Sequence, residues 1–242
     1  MAKPRIDIEN GSEDFPIITH QEPLSALSEQ YRKLRTNIDY STYDKDIKVI
    51  NVTSALQGEG KTITALNLAT VYSQADTKTL LIDMDLRKPK VHRGFNISNN
   101  AGLTQVITED LPLEKALYKP SETLHVLPTG GKLPFPVEFL GSKKVHAFIE
   151  SVRNDYDKII IDCPPMTAVT DASVISKFSD GTLFIIGSRK TNVDVAQTII
   201  KNLRDNGAFI LGAVLTRVLR KDEKYVSGYY YYYSIYGDED DA

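Results

Sequence analysis

Cysteine occurs once in the 242 residues, as Cys163, so no disulfide can close within the chain. The start "MAKPRIDIEN" lacks the apolar stretch of a secretory leader, and together these features point to a reducing cytoplasm. Long hydrophobic runs are missing as well. The strongest, "TLLI", "KIII" and "TLFIIG", fall far short of the ~20 apolar residues that cross a bilayer. If a membrane matters here, another chain must supply the anchor. Charge of one sign is equally scarce: 29 Lys and Arg stand against 32 Asp and Glu, for a formal net charge of -3. Nothing global therefore attracts nucleic acid or an anionic surface, and partners must be recognised locally.

The length suits one large domain with a substantial core. Residues 1–22 mix Pro, Gly, Ser, Glu and Asp without periodicity and read as an irregular lead. From Pro23, the residues Leu24, Leu27, Tyr31, Leu34 and Ile38 recur at three- and four-residue steps, which predicts a helix over 23–40 with one apolar stripe. Glu29, Arg32 and Arg35 form a charged ridge beside it. Short apolar runs at 47–53, 79–83, 123–127, 158–162, 182–187 and 209–215 then alternate with helical stretches near 61–75, 142–154, 171–178 and 193–206. Strands apolar along their whole length are buried on both faces, so the fold class is α/β, a doubly wound and mostly parallel sheet flanked by helices. The string "PTGGKLPFPVEFL" at 128–140, with three prolines and a double glycine, reads as a loop near a sheet edge. The domain signal spans 23–218, and residues 219–242 carry no core signal.

The stretch "INVTSALQGEGKTITALNLA" places a strand, a glycine loop and a helix in the order that a phosphate-binding loop requires. Within it, Ala55-x-x-x-x-Gly60-Lys61-Thr62 is the motif. Gly58 and Gly60 let backbone N–H groups turn toward phosphate oxygens, and the helix that follows presents its positive end. Gln57, Gly58, Glu59, Gly60, Lys61, Thr62 and Ile63 are the candidate nucleotide contacts, with Lys61 on the β and γ phosphates and the Thr62 hydroxyl on Mg2+. A chance match is the bland alternative, and the flanking strand and helix argue against it.

Two further strand ends finish in aspartate. Asp83 closes "TLLID", with Asp85 two residues on, and Asp162 closes "KIIID". In an open α/β sheet, ligands bind beyond the carboxyl ends of the strands, so all three can reach the loop. Magnesium takes one or two carboxylates, which leaves a surplus acid. Transfer to a hydroxyl needs a proton acceptor, and Asp85 is the candidate base, with Asp83 and Asp162 as outer metal ligands. Asp85 can equally be a second metal-sphere or loop-capping group. Arg87 neutralises phosphate charge or pairs with an acid.

Together "SALQGEGKT", "LLIDMDLRKP", "IIIDCPP", the helix motif "EQYRKLR" and a tyrosine-rich C-terminus resemble the bacterial protein-tyrosine kinases of capsular and extracellular polysaccharide synthesis. The resemblance runs from about residue 23 to the end. It implies a P-loop kinase that uses ATP and Mg2+ to phosphorylate its own tail between neighbouring subunits of a ring, an octamer in that family. Glu29, Arg32 and Arg35 would make the ring contacts; a solvated helix face is the plain alternative. It also implies the soluble Gram-positive arrangement: a cytoplasmic chain recruited to the inner face of the membrane by an adaptor that activates it, and a cognate phosphotyrosine phosphatase. Features of the eukaryotic kinases are lacking, because the His92-Arg93 pair is followed by glycine, no Asp-Phe-Gly occurs, and "LQGEG" is not a Gly-x-Gly-x-x-Gly loop.

Partition and division-site ATPases share this loop and sheet, a P-loop NTPase fold of the deviant Walker type, and form the rival reading, an ATP-driven switch without kinase activity. They carry a lysine near the loop start where this chain has Leu56. A nucleotide-bound scaffold of the export machinery is a third reading, which the intact Lys61, Thr62, Asp83, Asp85 and Asp162 disfavour. The tail holds seven of the thirteen tyrosines, Tyr225, Tyr229, Tyr230, Tyr231, Tyr232, Tyr233 and Tyr236, followed by "GDEDDA". Each phosphate there would add roughly -1.5 to -2 charges. The seven are therefore the candidate acceptors, seated when neutral and expelled when charged.

Overall fold

The computed structural model describes residues 12–41, 45–166 and 171–219. The seven candidate acceptor tyrosines lie outside them. The elements are α1 (Ile18–Gln21), α2 (Ala26–Tyr40), β1 (Val49–Ser54), α3 (Lys61–Ser73), β2 (Thr79–Asp83), α4 (Val91–Gly94), α5 (Leu103–Thr108), α6 (Leu113–Ala116), β3 (Leu124–Leu127), α7 (Pro136–Leu140), α8 (Lys143–Val152), β4 (Lys158–Asp162), α9 (Asp171–Ile175), β5 (Gly181–Gly187), α10 (Val193–Asp205) and β6 (Ile210–Thr216). The six strands form one sheet in the order β3-β2-β4-β1-β5-β6, and every pairing is parallel. The apolar runs thus mark the strands to within about two residues, and the doubly wound class holds.

Alternation along each strand divides the core between the two sheet faces. Val49, Leu80, Ile82, Ile159 and Ile161 pack with α8 on one side, and Ile50, Val52, Leu81, Ile160 and Leu183 pack with α3 on the other. All residues of α3 except Ile63 are buried. A helix covered all round is held by its neighbours rather than by a single stripe, and α2 is one of those neighbours.

Several details depart from the sequence reading. Ser25 caps α2 by accepting from the Ser28 N–H, so Leu24 falls outside the helix and is 97% exposed; Leu27 is 55% exposed. Only Tyr31, Leu34 and Ile38 reach the core. The lead is not irregular throughout, because Ile17 is fully buried and α1 follows it. Residues 128–140 are not loop to the end: the fixed φ of Pro136 opens α7 at its first position. Strand β6, on the sheet edge, is half-covered, with Leu215 exposed. The helices α4, α5 and α6 run to six residues at most, too short for a period of 3.6 to register.

At the sheet centre, Asn51 is fully buried, and neither atom of its amide has a hydrogen-bond partner among the described residues. Burying an unpaired amide costs about 1–3 kcal/mol. Asn51→Leu, which keeps the branching and removes the polar atoms, is expected to raise the denaturant midpoint by a stabilisation of that order, about 1–3 kcal/mol. An unchanged or lowered midpoint in urea would contradict this.

Candidate active site

The order of the sheet makes β1, β4 and β2 consecutive neighbours, so three carboxyl ends open on one place. Register sharpens this, since Asp83 and Asp162 sit opposite one another across the β2–β4 pair, and Val52 sits opposite Asp162 across β1–β4. Beyond β1 the chain turns through Gly58 (φ 78°) and Gly60 (φ 96°), left-handed conformations that favour glycine. Gly60 then caps α3. The unpaired N–H groups of the first turn and the helix dipole make this end receptive to anions.

Lys61 leads out of the loop into a nest of acids. Its Nζ donates to Asp85 Oδ2 at 2.9 Å and Asp162 Oδ1 at 3.4 Å, while the Thr62 hydroxyl donates to Asp162 Oδ2 at 2.7 Å. Asp83 Oδ1 accepts the Asp85 N–H, and Oδ2 accepts those of Lys90 and Val91. Asp83 thereby shapes the turn that carries Asp85. All of these side chains are buried. Burial pushes the Asp83 carboxyl up to about 7, with the Asp162 charge adding to it. Burial likewise raises Asp162, against Lys61 and the Thr62 hydroxyl. For Lys61, burial acts downward but the Asp162 and Asp85 carboxylates outweigh it, and the ammonium is held charged. Cys163, fully buried beside these acids, has its thiol pushed well up by burial, so it is no nucleophile.

A cleft of about 290 Å³ lies over this nest, lined by Gln57, Gly58, Gly60, Lys61, Thr62 and Ile63 of the loop, by Asp85, Arg87, Lys88 and Lys90 after β2, and by Asp14, Phe15, Pro164, Pro165 and Arg217. Backbone donors, a lysine and a helix end suit a polyphosphate. A hydroxyl with adjacent carboxylates is the hard-oxygen set that magnesium takes. The residues present therefore fit a nucleotide triphosphate with Mg2+: Lys61 and the loop amides would hold phosphate, and Thr62 and Asp162 would hold the metal.

Of the residues expected to contact nucleotide, Glu59 alone turns its side chain away from the cleft. Its Oε2 accepts the Leu56 N–H at 2.6 Å, and its Oε1 accepts the Gly187 N–H at 2.8 Å and the Thr191 hydroxyl. Its carbonyl accepts the Thr216 hydroxyl at 2.6 Å. The fully buried carboxylate thus ties the loop to the end of β5, and the backbone carbonyl ties it to the end of β6. On α2, Glu29 and Arg32 pair at 2.9 Å on the surface, whereas Arg35 donates to the Val71 carbonyl at the end of α3. The ridge is therefore two residues wide, its third member turned inward. The sequence reading missed Phe15, Thr216 and Arg217, which share no motif with the loop.

Removing the Glu59 carboxylate leaves buried donors unpaired. Glu59→Ala is expected to cost about 1–3 kcal/mol in denaturant unfolding and to weaken ADP binding by calorimetry. Loss of stability without loss of affinity would show that the tie does not shape the loop.

A protein-family model described as an AAA domain matches residues 47–205. The tyrosine-protein kinase YwqD of Bacillus subtilis (strain 168) is 40% identical over 216 residues, covering 88% of this chain and 90% of that protein. The putative tyrosine-protein kinase CapB of Staphylococcus aureus is 36% identical over 225 residues, covering 90% and 95%. Among solved structures, the chimerical protein CapA2B2 superposes with a TM-score of 0.80 at 34% identity, covering 84% of this chain and 90% of that one. The septum site-determining protein MinD of Pyrococcus horikoshii, complexed with Mg-ADP, reaches 0.60 at 25% identity, covering 69% of each chain. By these matches the chain belongs to the family of bacterial tyrosine-protein kinases.

Proposed function

We propose that the chain transfers the γ-phosphoryl group of ATP to tyrosine hydroxyls of its own C-terminal cluster, acting between subunits of a ring, and thereby regulates capsular or extracellular polysaccharide synthesis. The observation that carries this reading is Lys61, whose Nζ lies between Asp85 and Asp162 at the mouth of the phosphate loop. Bound Mg2+ would offset negative charge on the phosphates. The chain's own groups do the rest. Loop amides and Lys61 orient the phosphates, the Thr62 hydroxyl and Asp162 hold the metal, and Asp83 acts as an outer ligand while fixing the turn that bears Asp85. Asp85 Oδ2 takes the proton from the attacking tyrosine hydroxyl as the new O–P bond forms and the bond to the ADP oxygen breaks. That oxygen leaves as ADP, so charge and protons balance.

The rival, a switch that only hydrolyses ATP, lacks its crossing cation here. The equivalent position is Leu56, a half-buried apolar side chain packed against the small hydrophobic cluster that Ala55 and Phe184 form with α10. No helix among the described residues is long and apolar enough to cross a membrane, which fits a chain recruited from the cytoplasm to the inner face of the membrane by an adaptor that activates it. The exposed Glu29–Arg32 pair beside the exposed Leu27 suits a contact between copies in an octameric ring. A phosphotyrosine phosphatase would reset the tail.

Lys61→Met is expected to lower tail phosphorylation by about a hundredfold or more, the scale of losing one charged donor to a transition state. Intact mass after incubation with ATP, Mg2+ and the adaptor segment measures it, and phosphate-sized increments persisting in the variant would refute the site. Glu29→Ala with Arg32→Ala is expected to convert the assembly to monomers by light scattering, while an unchanged particle mass would remove α2 from the interface.

A further inference from the structure

One wall of the cleft belongs to the lead segment, which phosphoryl transfer does not require. Asp14 and Phe15 line the same space as Lys61, Asp85 and Lys90, and they are held there by α3. Asn67, in the middle of that helix, accepts both the N–H and the hydroxyl of Thr19 at 3.0 Å. Its Nδ2 donates to the carbonyls of Pro16 at 3.0 Å and Ile63 at 2.9 Å. Gln74 Nε2 donates to the Thr19 carbonyl at 2.8 Å, and Ile17 is fully buried. An amide with its donors and acceptor engaged fixes the segment it binds.

Phe15 is therefore a built part of the rim. Lys90 Nζ lies over its ring, 5.5 Å from the centroid, and the Arg93 guanidinium carbon at 5.3 Å. Asp14 reaches Arg93 at 3.7 Å, with the two side chains 75% and 52% exposed, so the pair is weak and replaceable. Two cations gathered on an aromatic ring, one of them loosely covered by a neighbouring carboxylate, complement a ligand with both acids and aromatic rings.

We propose that Phe15, Lys90 and Arg93 form the seat of the acceptor, an acidic tyrosine peptide whose carboxylate displaces Asp14 from Arg93 and whose ring packs on Phe15, with Asp85 at the inner end. The C-terminal sequence "YYYYYSIYGDEDD" has this composition. Asp14 is an internal competitor, and Lys88 adds to the positive rim. The inference rests on the kinase reading for why an acceptor enters here, but the binding it describes needs no turnover.

A fluorescein-labelled peptide of residues 229–241, titrated by anisotropy against the full chain with ADP and Mg2+ at low salt, tests the seat. Phe15→Ala, and Lys90→Ala with Arg93→Ala, should each weaken binding about fivefold or more, the scale of a lost cation–π and charge contact. Phe15→Tyr should retain it, and Asp14→Asn, at an exposed position, should tighten it. A peptide with its four terminal acids changed to amides should bind about fivefold less tightly. Urea midpoints matching wild type, with each titration run at saturating ADP, show that the variants keep the fold. Equal affinity of wild type and Phe15→Ala, equal affinity of acidic and neutral peptides, or weaker binding by Asp14→Asn overturns the seat. A wild-type chain that binds the peptide in this pattern yet transfers no phosphate when given ATP, Mg2+ and the adaptor segment supports the seat and refutes the kinase reading.

Discussion

One ammonium group shared among buried carboxylates governs this molecule. Asp162 and Asp85 both lie against Lys61, and taking charges of one sign out of water is costly unless an opposite charge meets them. The parallel register creates the problem by bringing Asp83 and Asp162 to the same level at adjacent strand ends. Lys61, at the first position of α3, is the answer to it. A bound polyphosphate would alter the same balance, so the charges at these strand ends are those that a nucleotide would rearrange.

The surrounding structure supplies rigidity where that balance needs it. The core on both faces of the sheet fixes the strand ends, and the wholly buried α3 keeps its N-terminus in place. Backbone amides hold Asp83 so that Asp85 projects from a defined turn. Asp180 does similar service at the opposite end of the sheet, where it accepts from the Lys48 and Val49 amides and pairs with Arg153. Polar groups on both rims are thus spent on backbone, in keeping with the cost of leaving buried amides unpaired.

Much of this was legible in the sequence because it depends on local pattern. Continuous apolar runs identify buried parallel strands, and the glycine positions with Lys61 and Thr62 identify the loop. Aspartates at the ends of "TLLID" and "KIIID" fall beside it because strand ends in such a sheet converge. What escaped depends on contacts between distant segments. Phe15 lies in a stretch with no periodicity and gains its place through Asn67, a residue that looks like any polar position in a helix. Leu24 fits the apolar spacing of α2 yet lies outside it, because the Ser25 cap decides where the helix begins. Arg35 belongs by spacing to the charged ridge, but the carbonyl end of α3 lies within its reach.

The tie at Glu59 has a mechanical meaning as well as a structural one. The Glu59 carbonyl is gripped by Thr216, 157 residues away in sequence and the last residue of β6, beyond which the chain continues into its tyrosine-rich end. The glycine loop and the point where the chain leaves the sheet toward its tyrosine-rich end thus share one hydrogen bond, a direct link between the two that does not run through the core.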